Sequence, residues 1–142
     1  NTRGVYLMQT PTIINTLEFV TISSSGSGTD FGDLSQARQY AAGTDDGSRG
    51  VHGGGNAPPY VDTIDYLSIG AAGNSADFGN LTTSYAAACA VSNGSRGVFS
   101  TFETPTANVD AIEYITIGVL SNATDFGELS QARGGGTACS GA

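Results

Sequence analysis

The chain has 142 residues, 13% of them charged and 21 of them Gly, and it contains neither Lys nor Trp. This length suffices for one compact domain with its own core, and the composition is typical of tightly turned β structure rather than of helices. The net charge of −8 opposes contact with phosphate backbones, and no apolar run approaches the roughly 20 residues that cross a bilayer, so neither nucleic-acid binding nor membrane insertion is predicted.

One sequence repeat accounts for nearly the whole chain. The phrase Thr-Asp-Phe-Gly-Asp-Leu at residues 29–34 returns in similar form at 76–81 and 124–129, with a period of about 47 residues. We therefore predict a single repeat domain over residues 1–142. Its repeats are divided at approximately 1–46, 47–93 and 94–142.

An Arg-Gly-Val triplet also occurs once in each repeat, beginning at Arg3, Arg49 and Arg96. The second and third triplets follow Asp30 and Asp77 of the preceding phrases at one identical distance. If the C-terminus were joined to the N-terminus, Arg3 would follow the Asp of the third phrase at nearly the same distance. The sequence therefore predicts that the third repeat is completed by an N-terminal strand, from the same chain or from a neighbour.

The third repeat illustrates the predicted elements in chain order. Residues 96–99 predict a short strand, and residues 112–117 predict the strongest strand, because they are mainly β-branched and aromatic. Residues 121–124 have turn chemistry, residues 125–129 open a third strand, and residues 130–138 can supply a fourth. We predict an all-β fold with four short antiparallel strands per repeat.

The strongest strand is apolar on both faces. Ile112 and Tyr114 lie on one face and Ile115 and Ile117 on the other, which is typical of a sheet packed between two others. Two aromatic rings at a constant separation in the chain recur in every repeat, and we expect them in the core with one shared geometry. These pairs are Phe19 with Phe31, Tyr66 with Phe78, and Tyr114 with Phe126.

The order of motifs within a repeat resembles that of a known blade family. Arg-Gly-Val is followed by Ile-Glu-Tyr-Ile-Thr-Ile, then by Thr-Asp-Phe-Gly-Asp-Leu and Gln-Ala-Arg. This order resembles kelch-like β-propeller blades, and it is similar above all to repeat arrays in structural proteins of tailed phages of aquatic bacteria. The resemblance implies blades of four antiparallel strands and a role in a fibre or virion.

Three blades are too few for a closed propeller, which typically has four to eight. We expect three kelch-like blades per chain, completed by a neighbouring chain, and a head-to-tail contact of this kind builds a filament unless its rotation closes. The alternative fold is a threefold β-prism or β-trefoil closed within one chain. The predicted function is a structural subunit of an extracellular or virion fibre, and the alternative is a carbohydrate-binding, lectin-like module.

Three sets of residues follow from these predictions. The self-assembly residues lie at the divided repeat: Arg3, Gly4, Val5, Tyr6, Ala138 and Cys139. Structural ion pairs are expected between the Arg of each triplet and the carboxylate of the strongest strand, that is between Arg3, Arg49, Arg96 and Glu18, Asp65, Glu113. Asn-x-Ser/Thr sequons predict glycosylation, at Asn80, Asn93 and Asn122.

The sequence predicts no catalytic, cofactor-binding or metal-binding residues. His52 is the only histidine and has no Gly-x-Ser-x-Gly motif to accompany it, so we expect a protein that is not an enzyme. Cys89 and Cys139 occupy different places in their repeats and are interpreted as buried free thiols, with one disulfide as the alternative. The expected partners are further copies of the chain and, in the alternative, glycans.

Overall fold

The computed structural model describes residues 2–7, 12–86, 88–101 and 103–140. These residues form eleven strands, and no helix among them is long and apolar enough to span a bilayer. The strands are β1 (Arg3–Leu7), β2 (Thr16–Thr21), β3 (Thr29–Asp33), β4 (Ala42–Asp45), β5 (Arg49–Gly53), β6 (Val61–Ser68), β7 (Ala76–Tyr85), β8 (Cys89–Ser92), β9 (Arg96–Ser100), β10 (Val109–Thr116) and β11 (Thr124–Arg133).

The strands form three antiparallel sheets, each built from strands that are consecutive in the chain. Sheet 1 contains β1 to β3, sheet 2 contains β4 to β7, and sheet 3 contains β8 to β11. The prediction of an all-β fold is confirmed. Sheets 2 and 3 have four strands each, whereas sheet 1 has three among the described residues.

The fourth strand of each complete sheet precedes the Arg-Gly-Val strand. β4 pairs with β5, and β8 pairs with β9, so sheets 2 and 3 begin a few residues before the predicted repeat boundaries. The prediction of a fourth strand over residues 130–138 is wrong, because β11 runs through Arg133 and residues 134–140 lie outside the strands. Three consecutive glycines, residues 134–136, weaken strand propensity at this point.

Two buried clusters hold the sheets together. One joins sheets 1 and 2, and the other joins sheets 2 and 3. No buried cluster of the described residues joins sheet 1 to sheet 3. The sheets therefore stand in an open series, and the alternative of threefold closure within one chain finds no support in this part of the chain.

Each sheet has two distinct faces. We call the face that packs on the following sheet the rear face and the opposite face the front face. In sheet 2, Phe78 lies on the rear face and Ile69 on the front face. In β6, the neighbouring residues Ile64 and Asp65 are both buried, as predicted for a strand that packs on two sides. In β10 only the front face is fully covered, since the opposite residue Tyr114 is half-buried.

The three aromatic pairs share one edge-to-face geometry, as predicted. Their ring centroids are 6.0, 6.1 and 5.9 Å apart, with interplanar angles of 77°, 74° and 74°. Phe31 and Phe78 are buried, but Phe126 is exposed, so the expectation that all these rings lie in the core is wrong for the third repeat. The reason is positional, since no sheet of the described residues covers the rear face of sheet 3.

Candidate self-association site

The contact between sheets 1 and 2 centres on the buried carboxylate of Asp65, on the front face of sheet 2. The Ser35 backbone N–H donates to Asp65 Oδ2 at 3.1 Å, and Ser35 Oγ donates to Oδ1 at 2.8 Å. Arg38 Nη2 forms a fully buried salt bridge with Asp65 Oδ2 at 3.1 Å. Burial lowers the pKa of the Arg38 guanidinium below its usual value, and the charge of Asp65 opposes that shift.

The contact between sheets 2 and 3 repeats this arrangement without the cation. Thr82 donates its backbone N–H to Glu113 Oε2 at 2.9 Å and its hydroxyl to Oε1 at 2.6 Å. Tyr85 stands where Arg38 stands one repeat earlier, eight residues after the Asp of the phrase. Asp65 and Glu113 thus each accept hydrogen bonds from the preceding sheet, and only Asp65 also has an Arg side chain paired with its carboxylate.

A loop of the following sheet also docks on the outer edge of β3 and β7. Asp33 N donates to Asn74 Oδ1, and Asn80 N donates to Asn122 Oδ1, both at 3.0 Å. Gly79 in β7 has a φ of +147°, and a Cβ added there would lie 2.5 Å from Ser121 O. Glycine is therefore required at this position both by its backbone conformation and by the close approach of the next loop.

The Arg of each Arg-Gly-Val triplet lies over an aromatic ring of its own sheet. The guanidinium carbons of Arg3, Arg49 and Arg96 lie 4.6, 4.7 and 4.4 Å from the centroids of the rings of Phe19, Tyr66 and Tyr114. Such cation–π contacts orient the guanidinium along the sheet.

The first two of these arginines also reach the following sheet. Arg3 Nη1 donates to Ile69 O at 3.3 Å, and Arg49 Nη1 donates to Ile117 O at 2.7 Å. The structure therefore does not have the expected pairing of Arg49 with Asp65 or of Arg96 with Glu113. Arg38 holds Asp65 instead, and Thr82 holds Glu113. The pairing prediction was wrong because both members lie in one sheet, whereas each carboxylate faces the preceding sheet.

The outer edge of β1 has no neighbouring strand among the described residues. The equivalent edges of β5 and β9 are covered by β4 and β8. A cavity of about 320 Å³ lies beside β1 in the position that such a strand would occupy. Residues from β1, β4 and the front face of sheet 2 line it, among them Gly4, Tyr6, Thr44 and Gly50.

Residues 137–140 have the sequence position of the strand that sheet 1 lacks. Ala42 opens β4 and Cys89 opens β8, each at the same distance from the Asp of its phrase, and Thr137 follows Asp125 at that distance too. Residues 137–140 are exposed and lie outside any strand. Thr137 and Ala138 share a cavity of about 380 Å³ with Cys89, so this segment lies beside β8.

The predicted self-assembly residues lie in two regions, the strand β1 and the exposed segment 137–140. Arg3, Gly4, Val5 and Tyr6 belong to the open strand β1, and Ala138 and Cys139 belong to the exposed segment 137–140. Within one chain the structure pairs β1 with β2 and does not pair the exposed segment with β1. Both cysteines are free, Cys89 half-buried and Cys139 exposed, so the expectation of two buried thiols is wrong for Cys139.

Two large apolar side chains are exposed at the two ends of the sheet series. Phe126, on the rear face of sheet 3, is 52% exposed, whereas its equivalents Phe31 and Phe78 are each 2% exposed. Ile22, on the front face of sheet 1, is 68% exposed, whereas its equivalents Ile69 and Ile117 are 6% and 0% exposed. Their equivalents lie on faces that meet inside the chain, whereas no sheet of the described residues covers Phe126 or Ile22.

The sequons differ in their surroundings. Asn93 lies on the exposed turn between β8 and β9, where its Oδ1 accepts from the N–H groups of Ser95 and Arg96. Asn80 and Asn122 hydrogen-bond to each other across the contact between sheets 2 and 3. A glycan at Asn93 would therefore disturb the sheets least among the three predicted positions.

His52 is also buried, and it is the equivalent of Tyr6 and Phe99. Burial, followed by the charge of Arg38, lowers the pKa of His52 to about 4. His52 Nδ1 has no hydrogen-bond partner among the described residues. Within residues 2–7, 12–86, 88–101 and 103–140, no group of three or more His, Cys, Asp or Glu side chains is placed to hold a metal ion.

The residues that bind the carboxylates, Ser35, Arg38 and Thr82, were not predicted from the sequence. A signal for them was present in the repeat alignment. Ser35, Thr82 and Ser130 each follow the phrase Asp by five residues, and Arg38 and Arg133 each follow it by eight. A polar residue that returns at a fixed place in successive repeats indicates a recurring contact within the fold, here with the next sheet.

The sequence matches no protein-family model and no curated protein. The resemblance to kelch-like blades and to phage repeat arrays therefore stays a prediction from the motifs. The fold and the site define the chain more coarsely, as an all-β protein of stacked antiparallel sheets. Among the described residues, β1 lacks the partner strand that its equivalents β5 and β9 have, and two sheet faces are uncovered.

Proposed function

We propose that this protein is a non-catalytic structural subunit that assembles head to tail into a fibre. The observation that carries the proposal is the open edge of β1 together with an exposed segment, residues 137–140, that has the sequence position of the absent strand. An uncovered strand edge is a template for pairing with another chain, and native proteins usually protect it. Strand addition from a second copy protects it here.

The repeat specifies the register of this added strand. Ala42 pairs with Gly53 and Cys89 pairs with Ser100. The residue of β1 at the position of Gly53 and Ser100 is Leu7, four residues after the triplet Arg. Thr137 of one copy therefore lies opposite Leu7 of the next, and Cys139 lies opposite Val5. The added strand is antiparallel to β1, as β4 is to β5.

In this register, the side chain of Cys139 packs at a defined position. Its equivalent in β4 is Thr44, whose Cγ2 methyl group lies 2.8 Å from the position of a Cβ built on Gly97 of the next sheet. By the same repeat, Cys139 packs on Gly50, which lines the cavity beside β1. A small side chain that fills this cavity closes the gap between sheets 1 and 2 of the receiving copy.

The resulting contact joins two different surfaces of the chain, so it is heterologous. Unless the rotation between copies closes a ring, repetition of such a contact builds a filament. We favour the filament, located outside the cell or on a virion, in keeping with the resemblance of the repeats to phage structural arrays.

Substitution of Cys139 tests the proposal without disturbing the fold, since Cys139 is exposed and outside the strands. Cys139→Pro removes a backbone N–H that the added strand needs, and Pro is poorly tolerated inside a ladder. Cys139→Val is the matched control, because Val91 occupies the equivalent position of β8. Both variants should unfold at the temperature of the unassembled wild-type chain.

Negative-stain microscopy and sedimentation velocity measure the outcome. We expect wild type and Cys139→Val to form filaments and Cys139→Pro to remain monomeric at the same concentration. Filaments of Cys139→Pro equal in yield to those of Cys139→Val would overturn the proposal, as would a wild-type chain that stays monomeric. Deletion of β1 is a poorer test, because Val5 and Leu7 pack on the core between sheets 1 and 2.

A further inference from the structure

We infer that, in the head-to-tail assembly proposed above and dependent on it, the rear face of sheet 3 stacks on the front face of sheet 1 of the next copy. Arg133 and Glu18 form a buried ion pair across this contact. The two faces are the two ends of the sheet series, and both lack the covering that every other equivalent face has. In the proposed assembly, the occupant of each face is a second copy of this chain.

The apolar side chains of the two faces match each other. Inside the chain, Phe31 packs in one cluster with Ile69, and Phe78 packs in one cluster with Ile117. Phe126 and Ile22 are the remaining members of the same two repeat positions, and both are exposed. Stacking of sheet 3 on sheet 1 of another copy buries both side chains in a third cluster of the same kind.

The charged side chains of the two faces also occupy complementary positions. Arg38 and Ser35 of sheet 1 bind Asp65 on the front face of sheet 2. Their equivalents on sheet 3 are Arg133 and Ser130, and the equivalent of Asp65 on sheet 1 is Glu18. Arg133 and Ser130 are exposed, and the Glu18 carboxylate, unlike the Glu18 backbone, has no hydrogen-bond or ion-pair partner among the described residues. In the proposed stack, Arg133 and Ser130 of one copy bind the Glu18 carboxylate of the next copy.

The loop between β2 and β3 of the next copy also fits against the outer edge of β11. Gly127 has a φ of +141°, close to the +147° of Gly79, yet a Cβ added at Gly127 would meet nothing within 4 Å. At Gly79 the adjacent space is occupied by Ser121 of the next sheet. The equivalent of Ser121 is Gly26, so the loop of sheet 1 from the next copy fills the space beside Gly127.

The ion pair also selects the partner. The contact between sheets 2 and 3 has Tyr85 in place of an Arg, whereas the contact between copies has Arg133. A buried Arg needs an opposing carboxylate, so sheet 3 is expected to reject a surface that lacks one at the position of Glu18.

Charge reversal tests this inference directly. Glu18→Arg and Arg133→Glu each place like charges against each other when a variant meets its own copies. Each single variant should raise the critical concentration for filament formation by about 30-fold or more, in line with loss of one partner of a buried charge pair. An equimolar mixture of the two variants should form filaments, because each contact between unlike copies again unites opposite charges. The double variant should assemble alone.

Neutral substitutions and folding controls keep the test decisive. Glu18→Gln and Arg133→Gln should weaken assembly in the same direction, and all variants should unfold as the unassembled wild type does. If Cys139→Val assembles and the charge-reversed variants assemble equally well, the ion pair is overturned while the proposed fibre stands. If neither the single charge-reversed variants nor their equimolar mixture forms filaments, the pairing of Arg133 with Glu18 is also overturned. A wild-type chain that never assembles overturns both.

Discussion

The fully buried salt bridge between Arg38 and Asp65 makes a sharp stability prediction for the contact between sheets 1 and 2. Asp65→Asn preserves the size of the side chain but removes the negative charge. Arg38 then remains buried as a cation, and its Nε and Nη1 groups already lack hydrogen-bond partners among the described residues. Breaking a buried pair by removing one partner costs about 3–5 kcal/mol of the free energy of unfolding.

Glu113→Gln is the internal comparison, because Glu113 is equally buried and accepts two hydrogen bonds from Thr82 but forms no salt bridge among the described residues. Replacing two charge-assisted hydrogen bonds by neutral ones costs about 1–2 kcal/mol. With a denaturant slope of about 2 kcal/mol per molar urea, the unfolding midpoints of the two variants should differ by about 1 M.

Urea unfolding followed by circular dichroism measures both midpoints. Adding Arg38→Met to Asp65→Asn should recover part of the loss, because it removes the unpaired cation while its chain still fills the space. Equal losses for Asp65→Asn and Glu113→Gln would refute the reasoning. A further loss on adding Arg38→Met would do so too, since Arg38 would then contribute packing rather than an uncompensated charge.

Two further predictions concern proton binding and glycine geometry. His52 has a pKa of about 4 when folded and about 6.5 when unfolded, so the unfolded chain binds an additional proton between these values, and stability should fall by up to about 3 kcal/mol as the pH is lowered from 6.5 to 4. His52→Phe, which copies the equivalent Phe99, should lack this component, and parallel stability curves for the two proteins would contradict it. Gly79→Ala should lower the unfolding temperature well below that of Gly127→Ala, because both have positive φ but only Gly79 faces a neighbouring loop. Gly127→Ala should instead reduce filament yield, and equal unfolding temperatures would count against the assigned contact at Gly79.

Strand identity was accessible from local sequence. Residues 96–99 and 112–117 were predicted as strands and lie in β9 and β10 or directly adjoin them. The shared geometry of the aromatic pairs was also predicted, since a constant separation of the two rings in similar hairpins leads to the same cross-strand pairing. These features depend on neighbours in the chain, and the repeat presents each of them three times.

Strand order and charge pairing were not accessible in this way. Residues 130–138 were expected to form a fourth strand, yet β11 extends through Arg133 and β8 takes the fourth place. Arg49 was expected to bind Asp65, yet Arg38 does so from another sheet. Both errors concern partners that are distant in the chain, for which residue type alone does not distinguish one edge or face from another.

The sequence by itself thus determined the repeat, the β class and, for β6, the burial of the strongest strand on both faces, because spacing and alternation are properties of the chain. Only the tertiary structure decided which copies of a repeated residue are buried. Phe31 and Phe126 have nearly the same local sequence, but one is covered by the next sheet and the other is not. The physical reason is that burial and charge pairing depend on the surface that a sheet meets in space, and the first and last sheets of a series meet different surroundings from the middle one.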